Sequence, residues 1–524
     1  MKNTKKPANE RDAPMTTAFQ HSYLRRILLV IAALWGQSGV CALLDRLDRA
    51  FPRWLAGSAV FRLFARDGAA TRAWPGSITS AVMGGAANLP TALVRWIYRP
   101  CRKVLEGSFF WRLIALLGQS TALLTGLFLL VLLSVPHDYW NNAYGFLGAL
   151  VLAGLFVLAS ARGQLQVELK RLGPWFALFL LSIGAALFTS YSTSLSLRFF
   201  LFYVGAFLLT LLIVSSISRP EQLLALLTAV AFGLLICGTY GCWQAYTGVE
   251  VVASQQDMLV NYGMPGRIYS FFDNPNNFAE ILVMLLPLVF ALLIVSKNWR
   301  VKVLSLAALA VGVVSLGATL SRSSWIGIAV AAVVFLALIN WKVLPLFLLV
   351  GIFCLPLLPD TIYNRILTIG DSRDTSTNYR FQIYNASFTM MKDYWFRGTG
   401  LGSDAMVSVF ELYPPMRDGN FPVHTHNNYL QMWGELGLFG GIFHLGTVFG
   451  QLKQGVKSYY TAPADRTVRV ILAAAIGAFC GILVVGLAEY TWYYPRNLFI
   501  FWSLFGVIAA CVKLSRKPEQ LSAC

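Results

Sequence analysis

The chain has 524 residues, of which 57% are hydrophobic and only 13% are charged, and its mean hydropathy is +0.61. A soluble globular chain carries about twice this share of charge, so the composition excludes an ordinary soluble enzyme and indicates a polytopic membrane protein. The net charge of +18 is spread over many short loops, which disfavours nucleic-acid binding and favours contact with anionic membrane lipids. Eight cysteines are scattered without a CxxC or Cys/His cluster, so we expect no metal site, no cofactor and no disulfide framework.

Residues 1–112 differ in composition from the rest of the chain. They contain 17 Lys or Arg and 6 Asp or Glu, a net charge of +11. Arg and Trp alternate with short apolar stretches, a pattern typical of interfacial amphipathic helices on the cytoplasmic leaflet. The apolar run from Ile27 to Leu44 is marginal in length for a span, so we favour an interfacial or hairpin placement, and no signal-peptide cleavage pattern accompanies it.

Regular apolar runs begin at Leu113. A bilayer core about 30 Å thick needs roughly 20 apolar residues per helix, and lipid does not tolerate open strand edges. The sequence therefore predicts an all-α transmembrane bundle of about twelve spans. The runs lie near 113–134, 143–160, 174–190, 199–217, 222–243, 278–296, 301–319, 324–340, 343–358, 429–450, 468–488 and 497–513. Spans one to nine occupy 113–358, a long loop 359–428, spans ten to twelve 429–513, and a tail 514–524.

Loop charge predicts the orientation. Basic residues concentrate in every second connection and in the tail, namely in 161–173, 297–302, 451–469 and 513–517. The alternate connections carry at most one Lys or Arg each, namely 135–142, 191–198, 244–277 and 489–496. By the positive-inside rule both chain ends lie in the cytoplasm and the long loop lies outside. We therefore expect a multi-pass protein of the cytoplasmic (inner) membrane with an extracytoplasmic site.

The long loop 359–428 is the place where chemistry is expected. It holds six Lys or Arg and seven Asp or Glu, and Thr375 to Met391 predicts an amphipathic helix. Loops of this length are commonly functional. It ends in a pair of histidines, His424 and His426. An imidazole can accept a proton near neutral pH, so His426 is a candidate general base, although a helix-capping His is the alternative; His424 is the weaker candidate.

Several arginines fall on the predicted outer side. Arg322 lies between two apolar runs, where a guanidinium can fork onto phosphate oxygens or reach lipid headgroups. Arg380 lies on the predicted loop helix and has a solvated helix face as its alternative. Arg267 and Arg496 are two further arginines on this side; they are candidates to bind an anionic substrate, with binding of lipid headgroups as the alternative.

Taken together, these pieces resemble the O-antigen ligase and polymerase superfamily of polytopic glycosyltransferases. The matching motifs follow in family order: Phe272-Asp273-Asn274-Pro275-Asn276, Leu320-Ser321-Arg322-Ser323-Ser324-Trp325, Tyr379-Arg380, Trp395-Phe396-Arg397-Gly398-Thr399-Gly400-Leu401-Gly402, His424-Thr425-His426-Asn427-Asn428-Tyr429-Leu430 and Gly434-Glu435-Leu436-Gly437. The likeness covers about 113–513, and residues 1–112 match nothing in it.

The resemblance implies a function and roles for particular residues. Arg322 and Arg380 would bind the diphosphate of an undecaprenyl-linked glycan, and His426 would activate the acceptor hydroxyl, in a metal-independent, inverting transfer. Further candidates for substrate binding are Arg267, Arg397, Arg496, His424 and Asn427. The acceptor would be a lipid or another component of the cell envelope.

Three versions of the activity stay open on the sequence: a ligase, a chain polymerase and a protein O-oligosaccharyltransferase. We favour the ligase because the long loop directly precedes the span that begins after His426. A transporter for lipid-linked sugars or a small anion is the alternative from another class, although no internal repeat is evident. A membrane scaffold without activity is a remote alternative.

Overall fold

A computed structural model of the chain describes residues 23–58, 66–163, 165–251, 265–367, 375–462 and 465–516. Those residues form helices and no strand, which confirms the predicted all-α class. The chain divides into two compact units, Met1–Asp67 and Gly68–Cys524. In the first unit, helices α1 (Tyr23–Gln37) and α2 (Gly39–Gly57) are separated by Ser38, so the apolar run 27–44 is shared between two helices.

The second unit contains the remaining helices. In chain order they are α3 (Ala69–Ala73), α4 (Ile78–Gly107), α5 (Phe109–Gln119), α6 (Thr121–Ser134), α7 (Ala143–Ala159), α8 (Gly173–Thr189), α9 (Thr193–Ser216), α10 (Pro220–Thr247), α11 (Pro275–Val295), α12 (Trp299–Ala318), α13 (Arg322–Asn340), α14 (Leu344–Cys354), α15 (Asp360–Leu367), α16 (Thr375–Tyr394), α17 (Gly402–Phe410), α18 (Asn428–Thr461), α19 (Arg466–Val485) and α20 (Pro495–Ser515). The helix predicted for Thr375 to Met391 is therefore present as α16, three residues longer than expected.

Within the described ranges, nine helices are long and apolar enough to cross a membrane, and a tenth candidate is the pair α5 and α6. This pair was expected to be one straight span, but it bends by 75° at Ser120. There the Ser120 N–H donates to both Leu116 O and Leu117 O, and the Thr121 hydroxyl donates to Gly118 O at 2.5 Å. Such tightened bonds end one helix locally, so that the next begins in a new direction.

Two further passes follow from contacts. Arg322–Leu357 is one continuous apolar stretch of 36 residues, yet the segments before and after it lie side by side, because a Cβ added to Gly317 would lie 3.2 Å from Ile362 Cδ1. The chain therefore leaves along α13 and returns along α14. Helix α18 runs from the Glu489 end of the bundle to the opposite end, where the Tyr459 hydroxyl donates to Leu338 O at 2.5 Å. Length and apolarity identify nine or ten spans among the described helices, and these two passes would bring the number to the predicted twelve, which stays a prediction.

The innermost helices are α11, α19 and α20, of whose apolar windows 78%, 83% and 89% are buried. Small residues let helices approach closely, as at Gly481 of α19, where an added Cβ would lie 2.4 Å from Gly327 O of α13. The N-terminal ends of α11, α18 and α20 gather at one end of this core. There Asn428 N donates to Gly486 O at 2.7 Å, and Asn497 Nδ2 donates to Asn277 O at 3.2 Å.

Candidate active site

A buried carboxylate, Glu489, forms the centre of the candidate site. It lies in the connection between α19 and α20, and its side chain is 6% exposed. Its Oε1 accepts hydrogen bonds from Arg380 Nη2 at 2.5 Å and from Asn276 Nδ2 at 3.2 Å. Its Oε2 lies 3.2 Å from His426 Nδ1. Glu489 therefore connects its own segment with three others that are far from it in sequence.

The charge of Glu489 follows from these neighbours. Burial by itself raises the pKa of Glu489, but the positive charge of Arg380, the hydrogen bond from His426 and the charges of His426 and His424 lower it to about 2. Glu489 is therefore ionised at neutral pH, and an ionised carboxylate can only accept hydrogen bonds. The proton between them accordingly belongs to His426 Nδ1, which leaves the lone pair of the neutral ring on Nε2.

His426 has an unusual backbone conformation. Its φ is +46°, in the left-handed region that residues other than glycine seldom adopt. Contacts on both sides hold it: the His426 N–H donates to His424 Nδ1 at 3.2 Å, and Tyr384 OH donates to His426 O at 3.3 Å. A strained conformation held by its surroundings is a feature of functional sites. Here it directs the imidazole towards Glu489.

His424 packs beside His426, with ring centroids 4.2 Å apart. Loss of hydration and the charge of His426 lower the pKa of His424 to about 3; Arg380 acts in the same direction and Glu489 opposes them. His424 is therefore neutral at physiological pH. Its Nδ1 serves as the acceptor that fixes the backbone of His426.

Arg267 extends the cluster from the other side. Its Nη2 donates to Asn276 Oδ1 at 2.5 Å, and its Nε donates to Thr319 O at 2.8 Å. Loss of hydration and then the positive charges of Arg365, Arg380 and Arg322 lower the pKa of Arg267 to about 10, while Glu489 opposes the shift. Three other guanidinium groups therefore lie within electrostatic range of Arg267, and Asn276 links it to Glu489.

The structure brings the three residues predicted for catalysis to one end of the bundle. Arg380 and His426 contact opposite oxygens of Glu489 and are 22% and 29% exposed. Arg322 is the first residue of α13 and is partly exposed, within electrostatic range of Arg267. Their predicted roles in diphosphate binding and proton transfer stay predictions.

The other predicted residues lie at different places. Asn427 caps α18: its Oδ1 accepts from Tyr429 N and Leu430 N, and its Nδ2 donates to Leu487 O at 3.0 Å. Arg397 is exposed and stacks on Tyr394, with its guanidinium carbon 5.1 Å from the ring centroid. For neither residue does a described contact reach Glu489, and their substrate-binding roles stay predictions.

Arg496, predicted on the outer face, is fully buried at the start of α20. Its Nη1 donates to Val135 O at 2.7 Å, and its guanidinium carbon lies 4.5 Å from the ring centroid of Trp140 and 5.4 Å from that of Phe272. These contacts connect α20 to the end of α6. The contacts are those of a packing residue, and substrate binding by Arg496 stays a prediction.

Reasoning from the sequence missed Glu489, Asn276, Tyr384 and Arg365. For Glu489 the sequence offered one signal, since it is the only acid in the short connection 489–496 between two apolar runs. Asn276 entered the sequence analysis only as the end of the motif Phe272-Asp273-Asn274-Pro275-Asn276; in the structure its N–H donates to Asn274 Oδ1 at 2.8 Å, which caps α11. In the part of the chain that the structure describes, no three His, Cys, Asp or Glu side chains are placed to hold a metal ion.

The fold and this cluster define a polytopic helical membrane protein with an arginine-rich site braced by a carboxylate at one end of its bundle. A family model described as O-antigen ligase matches residues 307–445, from α12 to α18. Over these residues, about a quarter of the chain, the protein is similar to the O-antigen ligase family. The matched range includes Arg322, Arg380 and His426, whereas Arg267 and Glu489 lie outside it. A search of curated proteins found no matching relative.

Proposed function

We propose that the chain transfers a glycan from an undecaprenyl-diphosphate donor to a hydroxyl group of a lipid or other cell-envelope acceptor. The reaction takes place at the outer face of the cytoplasmic membrane, an orientation that rests on the distribution of basic loops. The observation that carries the proposal is that His426 and Arg380 bind opposite oxygens of Glu489. This arrangement supports a proton acceptor and an anion-binding group side by side.

His426 acts as the general base. Its Nε2 takes the proton of the acceptor hydroxyl while the acceptor oxygen attacks the anomeric carbon of the donor sugar. The bond between that carbon and the diphosphate oxygen breaks, its electron pair leaves with the diphosphate, and the configuration inverts. The imidazolium that forms is stabilised by Glu489, to which Nδ1 is bound at 3.2 Å. General-base catalysis of this kind contributes about 10²–10⁴-fold.

Arg322 and Arg380 bind the diphosphate and stabilise the negative charge that it gains as it leaves. Preorganised positive groups of this kind typically contribute several kcal/mol. Burial is the main cause of the lowered pKa of Arg267, and the positive charges of Arg365, Arg380 and Arg322 lower it further. A bound diphosphate would relieve the repulsion among these groups, which supports an anionic ligand here. The protein supplies the forked geometry of guanidinium groups, which a lysine ammonium does not reproduce.

A chain polymerase and a protein O-oligosaccharyltransferase would use the same donor chemistry with a different acceptor. We propose the ligase because the long loop directly precedes the helix that begins after His426. Transfer assays with the three acceptor classes separate these versions. Movement of the lipid-linked glycan into vesicles without a covalent product would instead indicate a transporter.

The decisive test is the variant His426→Ala, measured with purified protein, a lipid-diphosphate glycan and candidate acceptors. We expect transfer to fall by about 10²–10⁴-fold while donor binding persists. The matched control is His137→Ala, because His137 contacts Tyr494 and not Glu489; this variant should keep its activity. Normal turnover by His426→Ala would remove His426 as the base.

A further inference from the structure

Helix α4 lies outside the matched family domain and outside the candidate site, and its two faces have different surroundings. One face is held by the segment 165–170. Asn88 Nδ2 donates to Val167 O and Val167 N donates to Asn88 Oδ1, both at 2.9 Å. Arg95 Nη2 donates to Leu165 O at 3.0 Å, and ahead of the helix Trp74 Nε1 donates to Lys170 O at 2.8 Å. The helix therefore lies antiparallel along this segment.

The segment 165–170 marks a membrane surface. It connects α7 to α8, and both belong to candidate spans, so the chain leaves the bilayer and enters it again here. Basic groups surround it: Lys513 Nζ lies 2.9 Å from Glu168 Oε1, and Arg171 also pairs with Glu168. Because α4 is bound along the segment, it lies at the depth where spans end.

The opposite face of α4 is apolar and exposed. Val82, Leu89, Leu93, Trp96 and Val104 are 63%, 67%, 53%, 71% and 79% exposed. They recur every three, four or seven to eight residues, which places them in one stripe along an α-helix. At roughly 100° per residue, this stripe lies opposite the face that carries Asn88 and Arg95. A continuous apolar surface of this kind marks a site of interaction.

We propose that this stripe is embedded in the anionic phospholipid leaflet at the basic end of the bundle. Charge complementarity favours such a leaflet as the partner, since α4 contains four basic residues and one acid. Arg99 and Lys103 are exposed on the flank of the stripe, where they can reach lipid phosphates while the apolar side chains enter the acyl region. Arg102 lies on the other side of the helix and pairs with Glu106.

The consequence is a fixed attachment between leaflet and bundle. Hydrogen bonds from Asn88 and Arg95 hold the connection between α7 and α8 at the depth of α4. The helix thereby sets the depth of these two spans by a surface contact, in addition to their own hydrophobic length. This inference does not depend on the proposed transfer reaction.

Site-directed spin labelling of the full chain in nanodiscs of phosphatidylglycerol tests the proposal. Nitroxides at Leu89→Cys and Leu93→Cys, in a background without other reactive cysteines, should be relaxed more by oxygen than by a water-soluble nickel chelate. A nitroxide at Lys103→Cys, the matched control on the same helix, should show the reverse. Stronger relaxation by nickel at Leu89 and Leu93 would overturn the proposal, and so would protection from both reagents, because protein would then cover the stripe.

The anionic part of the proposal has its own test. The ratio of oxygen to nickel relaxation at Leu93 should rise when phosphatidylglycerol replaces phosphatidylcholine. This rise should be lost when Arg99 and Lys103 are both replaced by Gln, exposed positions at which the fold is not at risk. A ratio that ignores lipid charge in the unaltered chain would contradict an anionic leaflet as the partner.

Discussion

Two buried glutamates, Glu489 and Glu435, lie near each other in the fold but have different partners. Glu489 binds two cationic or titratable groups, Arg380 and His426. Glu435 is fully buried and is surrounded by neutral donors only. Its Oε1 accepts from Gln431 Nε2 at 2.8 Å and from Tyr490 OH at 3.1 Å, and its Oε2 accepts from Gly402 N at 2.8 Å.

At this end of the bundle, one carboxylate interacts with cationic groups and the other holds the backbone in place. Glu435 ties α18 to the start of α17 and to Tyr490, the residue next to Glu489. Its partner Gln431 in turn accepts from Thr425 N at 2.8 Å, directly before His426. We therefore expect Glu435 to support the backbone next to His426 and next to Glu489. Glu489, in contrast, sets the electrostatic environment of Arg380 and His426.

Among changes at the two carboxylates, the largest effect should come from Glu489→Gln, measured as glycan transfer by purified protein. The amide is similar in size but has lost its charge, and its NH₂ can donate to His426 Nδ1, which would move the ring proton to Nε2 and block proton acceptance. Changes at partners that orient a functional His cost about 10–100-fold or more, and we expect about 10²-fold.

The matched control for this variant is Glu435→Gln, which changes the same group among neutral donors. It should lose much less activity than Glu489→Gln, with unchanged dependence of the rate on pH. Equal losses in the two variants would contradict the division between a charge-controlling and a structural carboxylate.

The sequence predicted the parts of this fold that depend on local patterns. Apolar runs predicted the long helices, and the segment that begins at Thr375 predicted α16. The motifs around Arg322, Arg380 and His426 pointed to residues that the structure gathers at one end. Local periodicity and capping are properties of a few consecutive residues, so they can be read without knowledge of the fold.

The missed parts depend on contacts across the chain. Glu489 has its partners 213, 109 and 63 residues away, at Asn276, Arg380 and His426, and no local pattern records such a meeting. Arg496 illustrates the converse: a basic residue at the end of an apolar run suggests the surface, yet packing against Trp140 and Phe272 buries it. The left-handed conformation of His426 is likewise imposed by its neighbours.

A second test uses stability. Glu435→Ala would leave the Gln431 amide, the Tyr490 hydroxyl and the Gly402 N–H without their acceptor in a buried region. Each unsatisfied buried group costs about 1–3 kcal/mol, so we expect unfolding free energy to fall by about 3 kcal/mol or more. Glu489→Ala should cost less, because Arg380 and His426 are partly exposed and can be hydrated. Thermal unfolding of both variants in the same detergent provides the measurement; the reverse order of midpoints would contradict the comparison.

The smallest expected effect is a loss of stability in mild acid, and it involves His424, which packs beside His426 and Tyr490. Its ring centroid is 4.2 Å from that of His426 and 5.9 Å from that of Tyr490. Because folding lowers the pKa of His424 from 6.5 to about 3, the unfolded chain binds a proton in this interval and the folded chain does not. Stability should therefore be complete above pH 6.5 and fall as the pH decreases towards 3, by at most about 1.4 kcal/mol per pH unit.

Glu489 cannot produce the same response, because its pKa of about 2 lies below the ordinary value of 4.5, so its contribution is lost only as the pH falls from 4.5 towards 2. The variant His424→Gln keeps an acceptor for His426 N and removes the titrating ring. Between pH 7.5 and 5.5 the unfolding midpoint of the unaltered protein should decrease, and that of His424→Gln should decrease less. If both midpoints decreased equally, the acid response would belong to another group, and the titration of His424 would not contribute to it.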